Sequence, residues 1–177
     1  MWGCRLSHQS TDKCDSTSEI MGVNDYTLAL KLIRLGDSHS KFLRAIPVTF
    51  HLIAPFYWYK QLDQYKVGTV SLSDSTMHNL NKLDKFRQLN FSTYISPLLL
   101  NHLNELLTSY KRTKDKEVWY QLIGSLPSSY QQERYWFANY QVLRTIYQQR
   151  ANHKLFEWRY FCEQLEKQLT YKEFITL

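Results

Sequence analysis

Four groups of residues in this chain carry side chains that can do chemistry, and each also has a plainer structural reading. Asn139 and Arg150 stand eleven positions apart. On a helix of 3.6 residues per turn that is close to three full turns, so an amide and a guanidinium share one face. With Leu143 and Ile146 between them, they can grip opposite ends of a planar, nucleotide-like ligand; equally, each can cap or pair with a neighbouring element. The block Lys60-Gln61-Leu62-Asp63-Gln64-Tyr65-Lys66-Val67-Gly68-Thr69 runs into Ser71, Ser73, Ser75, Thr76 and His78. A helix end followed by a glycine and several hydroxyls, with a lysine beside it, suits phosphate. Lysine supplies charge, while hydroxyls and free N–H groups supply directed hydrogen bonds. The plainer reading is a solvated serine loop. His39, with Phe42 close behind, reads most simply as a histidine at a helix start. His153 and Glu157, at i and i+4 with Arg159 following, would face the same way on a helix and could move a proton, though such pairs are more often surface contacts.

The sharply signed chemistries are missing. There is no Gly-rich dinucleotide fingerprint, P-loop, His-Glu-x-x-His or Gly-x-Ser-x-Gly elbow. The three cysteines, Cys4, Cys14 and Cys162, form no Cys-x-x-Cys pair, which fits reduced intracellular thiols. The spacing of Cys4, His8 and Cys14 matches no familiar zinc knuckle, so no metal is expected. A net charge of +6 favours anionic partners such as phosphate or a nucleotide. The charge is scattered, without an arginine-rich tail, so nucleic acid is the weaker reading. Neither a membrane-length apolar run nor a signal peptide is visible, and the cytoplasm is the expected location.

The elements that must position these groups can be read from the pattern. Residues 1–22, rich in Ser, Thr, Asp and Lys, read as an extended arm; residues 23–177 read as one domain. Asn24 or Asp25 can cap a helix carrying Tyr26, Ala29, Leu30 and Ile33 on one face, with Gly36 as its stop. A short second helix is expected near Asp37, carrying Phe42 and Leu43. Val48–Ala54 is the best strand, with Val48, Phe50, Leu52 and Ala54 on one face, and Pro55 opens an aromatic helix over Phe56–Lys66. Val67–Leu72 is a second strand or an irregular turn, and Ser71–Asn79 a hydroxyl-rich loop. The remainder is expected to be helical. One stripe is Leu99, Leu103, Leu106 and Tyr110, and another is Trp119, Leu122 and Ile123 up to Gly124. After Pro127, with Ser128 or Ser129 as cap, a long helix carries Trp136, Tyr140, Leu143 and Tyr147. A last stripe is Leu155, Trp158, Cys162, Leu165 and Leu169.

The order of these groups resembles the flavin-dependent thymidylate synthases. Val48-Thr49-Phe50-His51-Leu52-Ile53-Ala54-Pro55 followed by Lys60-Gln61 is similar to that family's "F-x-I-x-A-P" strand and "R-Q" helix. The family's defining Arg-His-Arg triplet falls on Gln64, Tyr65 and Lys66, and its downstream serine on Ser75 if one residue is inserted, or on Asp74 by strict counting. Gly36-Asp37-Ser38-His39 with Phe42 resembles the approach to the strand. Leu126-Pro127, Asn139, Leu143, Arg150 and Glu157 match the C-terminal pattern, where Gln141 replaces an arginine.

The resemblance implies a mainly helical α/β (α+β) fold, a small sheet packed by long helices, assembled as a homo-oligomer, a tetramer in the family. It implies a pyrimidine deoxynucleotide, deoxyuridylate or a relative, with Arg150 facing the pyrimidine as the catalytic candidate. Nucleotide or cofactor binding is implied for His39, Gln64, Tyr65, Lys66, Thr69, Ser75, Thr76, His78, Asn139, Gln141 and Arg150, with FAD and reduced folate as cofactors. Replacing a triplet arginine by glutamine removes a charge and a bidentate fork, a contact worth about 1.5–3 kcal/mol or roughly one to two decades of affinity. The chain also resembles uncharacterised proteins of phages and prophages of Gram-positive bacteria, through Lys41-Phe42-Leu43-Arg44, Tyr65-Lys66-Val67-Gly68-Thr69, Ser75-Thr76-Met77-His78 and Asn152–Trp158. Two readings follow: a divergent nucleotide-modifying enzyme, or a non-catalytic descendant that binds a nucleotide or a host protein, for instance against host defence.

Overall fold

A computed structural model describes residues 21–177. The arm expected over residues 1–22 thus lies, apart from its last two residues, outside the described residues, as do Cys4, His8 and Cys14. The described residues form two compact units, one of residues 21–48 with 138–177 and one of residues 49–137.

In the first unit, helix α1 (Val23–Arg34) has Gly22 at its N-cap, two residues before Asn24 and three before Asp25, and Asp25 lies buried in the first turn. A carboxylate there complements the helix dipole. The helix stops at Gly36, whose φ of 98° is open to glycine at little cost. The turn after it is followed by a 3-10 helix, Lys41–Ala45, rather than an α-helix. Helices α6 (Tyr140–Arg150), α7 (Phe156–Gln168) and α8 (Glu173–Thr176) complete the unit. Short α8 packs on α6 and α1. Its Phe174, fully buried, gathers Tyr26, Phe42, Tyr140 and Tyr171 around it at ring separations of 5.8, 6.1, 5.9 and 5.2 Å.

The second unit holds most of a three-stranded sheet in the order β1-β3-β2, made by β1 (Pro47–Pro55), β2 (Val70–Ser73) and β3 (Gln131–Asn139). Along β1 exposure alternates as the sequence predicts, with Val48, Phe50, Leu52 and Ala54 on the shielded face. β2 runs antiparallel to β3, pairing Val70 with Phe137 and Leu72 with Tyr135. Helices α2 (Phe56–Leu62), α3 (Thr76–Lys82), α4 (Pro97–Thr113) and α5 (Lys116–Gly124) surround a core of Leu80, Phe86, Phe91, Ile95, Leu103, Leu107, Leu122 and Tyr130. Helix α4 starts on a Ser96 cap with Pro97 in its first turn.

Three sequence expectations change. The long helix after Pro127 is a strand up to Asn139 and a helix only from Tyr140. The run Tyr135-Trp136-Phe137-Ala138 alternates exposed and buried, the period of a strand built from β-favouring aromatics, and Trp136 meets Phe50 of β1 at 5.9 Å. The aromatic helix ends at Leu62, not Lys66. The serine loop contains a strand, Val70–Ser73, and the start of α3, which Ser75 caps through His78 N–H.

Candidate functional site

The candidate residues fall on both units. In the first, His39 lies exposed in the turn after α1, its N–H donating to Gly36 O at 3.0 Å. Asn139 is not part of a helical face. It ends β3 and turns its Oδ1 onto the Val142 N–H at 3.1 Å, so that it caps α6. Gln141 sits half-buried in the first turn, its carbonyl accepting from Thr145. Arg150 ends the helix, its guanidinium 5.1 Å from the Trp158 ring centre, a cation–π distance. Asn139 and Arg150 therefore mark opposite ends of α6, roughly 16 Å apart along its axis at 1.5 Å per residue.

Beyond Arg150 the chain makes a turn, which removes the helical spacing that His153 and Glu157 would need to meet. His153 Nδ1 instead accepts the Leu155 N–H at 3.2 Å, while Arg159 Nη1 donates to the carbonyls of His153 and Lys154 at 2.7 and 3.0 Å. Burial first, then the charges of Arg150, Lys154 and Arg159, hold the His153 imidazole below its ordinary pKa. The cationic neighbours of His153 are thus Arg150, Lys154 and Arg159.

In the second unit, Gln64, Tyr65 and Lys66 follow the end of α2 in a turn. Gln64 Nε2 donates back to Lys60 O at 3.2 Å, and Thr69 Oγ1 donates to Tyr65 O at 2.7 Å. Lys66 is exposed and its ammonium makes no bond among the described residues. Ser75 caps α3, Thr76 Oγ1 accepts from Gln132 Nε2 at 3.2 Å, and His78 is exposed. The Gln64–Thr69 turn and the Ser75–His78 segment are thus two local structures on either side of β2.

Two cavities neighbour these segments. One, of 290 Å³, is bordered by Asp74, Thr76 and Asn79 on one side and by Tyr130, Gln131, Gln132 and Glu133 on the other. A second, of 260 Å³, is lined by Phe56, Lys60, Asp63, Ser128 and Arg134. Arg134 lies over the Tyr59 ring at 3.9 Å and donates to both Asp63 oxygens, at 3.1 and 3.3 Å, and to Gln132 Oε1 at 2.8 Å. The solvent-facing side of the sheet carries Val70, Leu72, Tyr135 and Phe137, all substantially exposed. His51 stacks on Tyr135 at 4.8 Å and bonds Glu133 through Nε2.

The sequence did not single out His51, Asp74, Glu133, Arg134 or Tyr135 as a group. Alternation in β1 had put His51 opposite the shielded face, but its partners stand on β3, which reads as helix until the alternation of Tyr135 and Phe137 against Trp136 is noticed. Among the described residues no group of three or more His, Cys, Asp or Glu side chains is placed to hold a metal ion. None of the described helices is long and apolar enough to cross a membrane.

No protein-family model matches this chain, and no curated protein matches it. Solved structures do. The flavin-dependent thymidylate synthase ThyX from Helicobacter pylori, complexed with FAD and dUMP, superposes with a TM-score of 0.70 at 16% identity, over 90% of this chain and 86% of that one. A second structure of the Helicobacter pylori enzyme with FAD and dUMP gives 0.66 at 15% identity, over 88% and 85%. At that identity the likeness is one of architecture: this chain is mixed α/β with a small three-stranded sheet, and it has the fold of the flavin-dependent thymidylate synthases.

Proposed function

We propose that this protein is a divergent member of the thymidylate synthase-like flavoproteins that binds a pyrimidine deoxynucleotide, dUMP or a relative. The observation that carries the reading is the likeness of fold over 90% of the chain to an enzyme holding FAD and dUMP. In support, Arg150 stands at the C-terminal end of α6 beside a cluster of cations, where Lys154, Arg159 and Arg150 together favour a phosphate or a polarised pyrimidine carbonyl. His39, Asn139 and Gln141 belong to the same unit; Gln64, Tyr65, Lys66, Thr69, Ser75, Thr76 and His78 belong to the other. By resemblance the protein works as a homo-oligomer in the cytoplasm, with reduced folate as a further cofactor, and its kin are phage and prophage proteins.

The residues at the triplet positions fit a flavin only in part. Tyr65, half-buried, and the exposed aromatics of the sheet offer faces for a planar ring. For a diphosphate only Lys66 brings charge, since Gln64 is neutral and bonded back onto α2 and Thr69 is bonded to Tyr65 O. That observation favours a second reading, a non-catalytic descendant that binds a nucleotide or a host protein.

Absorbance of the purified protein between the near ultraviolet and the blue, with calorimetry against dUMP, tests both. A flavin spectrum with saturable dUMP binding supports the first reading, and turnover of dUMP with reduced flavin removes the second. A colourless protein that releases no flavin on denaturation and does not bind dUMP overturns the nucleotide reading.

A further inference from the structure

The hydroxyl-rich bend at Ser75 and Thr76 reads in the sequence as phosphate chemistry, yet the 290 Å³ cavity it borders is lined by two carboxylates, Asp74 and Glu133. At that volume the cavity lies near the lower end of small-molecule pockets, about 300–1,000 Å³. Its walls are held in place. Asp74 N–H donates to Glu133 O at 3.1 Å, and Gln132 Nε2 ties both Asp74 O and Thr76 Oγ1 to β3, at 3.0 and 3.2 Å. Such fixed lining lowers the ordering cost of binding.

The polar groups left over define what fits. Asp74 uses Oδ2 for Asn79 at 3.2 Å, and Glu133 uses Oε1 for His51. Asp74 Oδ1 and Glu133 Oε2 make no bond among the described residues. On the donor side, the Asn90 amide nitrogen remains, since its Oδ1 accepts from Arg87 N–H, and Thr76 keeps its hydroxyl proton because its oxygen is the acceptor from Gln132. A phosphate meets two carboxylates here and is repelled. An aliphatic amine satisfies the carboxylates but leaves the amide and hydroxyl donors unmatched. A heterocycle edge with an amino group and ring acceptors satisfies both, and the exposed side chains of Ile53 and Leu89 at the rim, 64% and 71% accessible, supply apolar cover for its faces.

We propose that this cavity binds the amino-bearing edge of a pyrimidine base, cytosine rather than uracil, with any phosphate kept outside it. Cytosine presents an amino group with two N–H donors beside two acceptors, the pairing that carboxylates make with cytosine elsewhere. Uracil in a nucleoside has one ring N–H flanked by two carbonyls, which would face the carboxylates. The inference deepens the nucleotide reading and rests on it for the choice of a nucleoside, but it does not depend on flavin.

Calorimetry of the full chain with cytidine, uridine and inorganic phosphate tests it. Cytidine binds at least about tenfold more tightly than uridine, the minimum expected of one charge-assisted hydrogen bond. Asp74→Asn and Glu133→Gln each weaken cytidine by about tenfold while leaving the melting temperature near that of the parent. Equal or reversed preference in the unsubstituted protein, displacement of cytidine by phosphate, or unchanged cytidine affinity in Asp74→Asn overturns the proposal. If dUMP binds and cytidine does not, the cavity assignment falls and the nucleotide reading stands; if neither binds, both fall.

Discussion

Asn139 holds the Val142 N–H at 3.1 Å, and through that one bond the last residue of a strand becomes the first fixed point of a helix. The carboxamide is largely buried, so the free N–H groups at the start of α6 have little recourse to water. Asn139→Ala is expected to lower stability by about 1 kcal/mol. Asn139→Ser keeps an oxygen in capping position and stays within a few tenths of the parent. Urea midpoints of the two variants check this, and equal midpoints would remove the capping role.

Tyr59 joins β1 to β3 from beneath. Its hydroxyl lies 2.9 Å from Leu52 O and 3.0 Å from Gln132 O, with Arg134 over the ring at 3.9 Å. The side chain is fully buried, and burial is the main cause that holds the phenol well above its ordinary pKa, so the hydroxyl stays a donor. Tyr59→Phe removes the one O–H that these two strand carbonyls share and is expected to cost about 1–2 kcal/mol, seen as a drop of several degrees in the melting temperature. Arg134→Leu keeps apolar contact with the ring but abandons Asp63, so it should cost less, given that half of Asp63 is exposed and its ion pair is screened.

Much of this was legible in the chain itself. β1 announces itself by its alternation and by Pro55, and α4, α5 and α7 by stripes that pick out Leu103, Leu122, Trp158, Cys162 and Leu165 as buried, though Leu107 of α4 and Phe161 of α7 are buried beside them without belonging to the stripes. β3 was not legible. Trp136, Tyr140, Leu143 and Tyr147 happen to repeat at helical spacing across a strand-to-helix junction, and a period of 3.6 cannot be told from a period of 2 when one aromatic serves both. Read as helix, that stretch conceals the partners of His51 and the cavity beside Asp74, because both are formed with β3. The helix boundary at Leu62 is not legible for another reason: nothing in Asp63-Gln64-Tyr65-Lys66 breaks a helix, and the turn is fixed by bonds such as Thr69 Oγ1 to Tyr65 O. The role of α8 was invisible because four residues carry no periodicity.

Phe174 is where that last helix exerts its effect. Four aromatic rings stand within 6.1 Å of it, and it is fully buried. Phe174→Ala combines lost transfer free energy with a cavity the surrounding rings cannot fill, a cost of about 3–5 kcal/mol. Against a typical total of about 5–15 kcal/mol this is a large share. Denaturant melts should show it, with Phe174→Leu in between; a loss below about 1 kcal/mol would mean that α8 is not docked as described.

Cys162 is buried on α7, and burial, reinforced by the charge of Glu166, pushes its thiol up to about 12. The thiolate is the reactive form, so in the native protein iodoacetamide at pH 8 should leave Cys162 unmodified and label it only after unfolding. Peptide mapping by mass spectrometry separates it from Cys4 and Cys14. Rapid native labelling of Cys162 would contradict its burial.

Glu166 also accepts the Tyr147 hydroxyl at 2.6 Å. That hydrogen bond, then burial, then the negative charge of Glu166 raise the phenol to about 12. An acid whose pKa is raised on folding loses its proton first in the unfolded chain. Its contribution is therefore complete below the ordinary tyrosine value of about 10, and it is lost as pH rises from there through the folded value of about 12. Urea midpoints should fall between pH 10 and 11 more steeply for the parent than for Tyr147→Phe. Glu166→Gln removes the charge and keeps an acceptor, so part of the phenolate absorbance should move toward pH 10 in the difference titration against the parent. Identical titrations of parent and Glu166→Gln, or midpoints that rise with pH in this window, would show that the Tyr147–Glu166 bond does not form in solution.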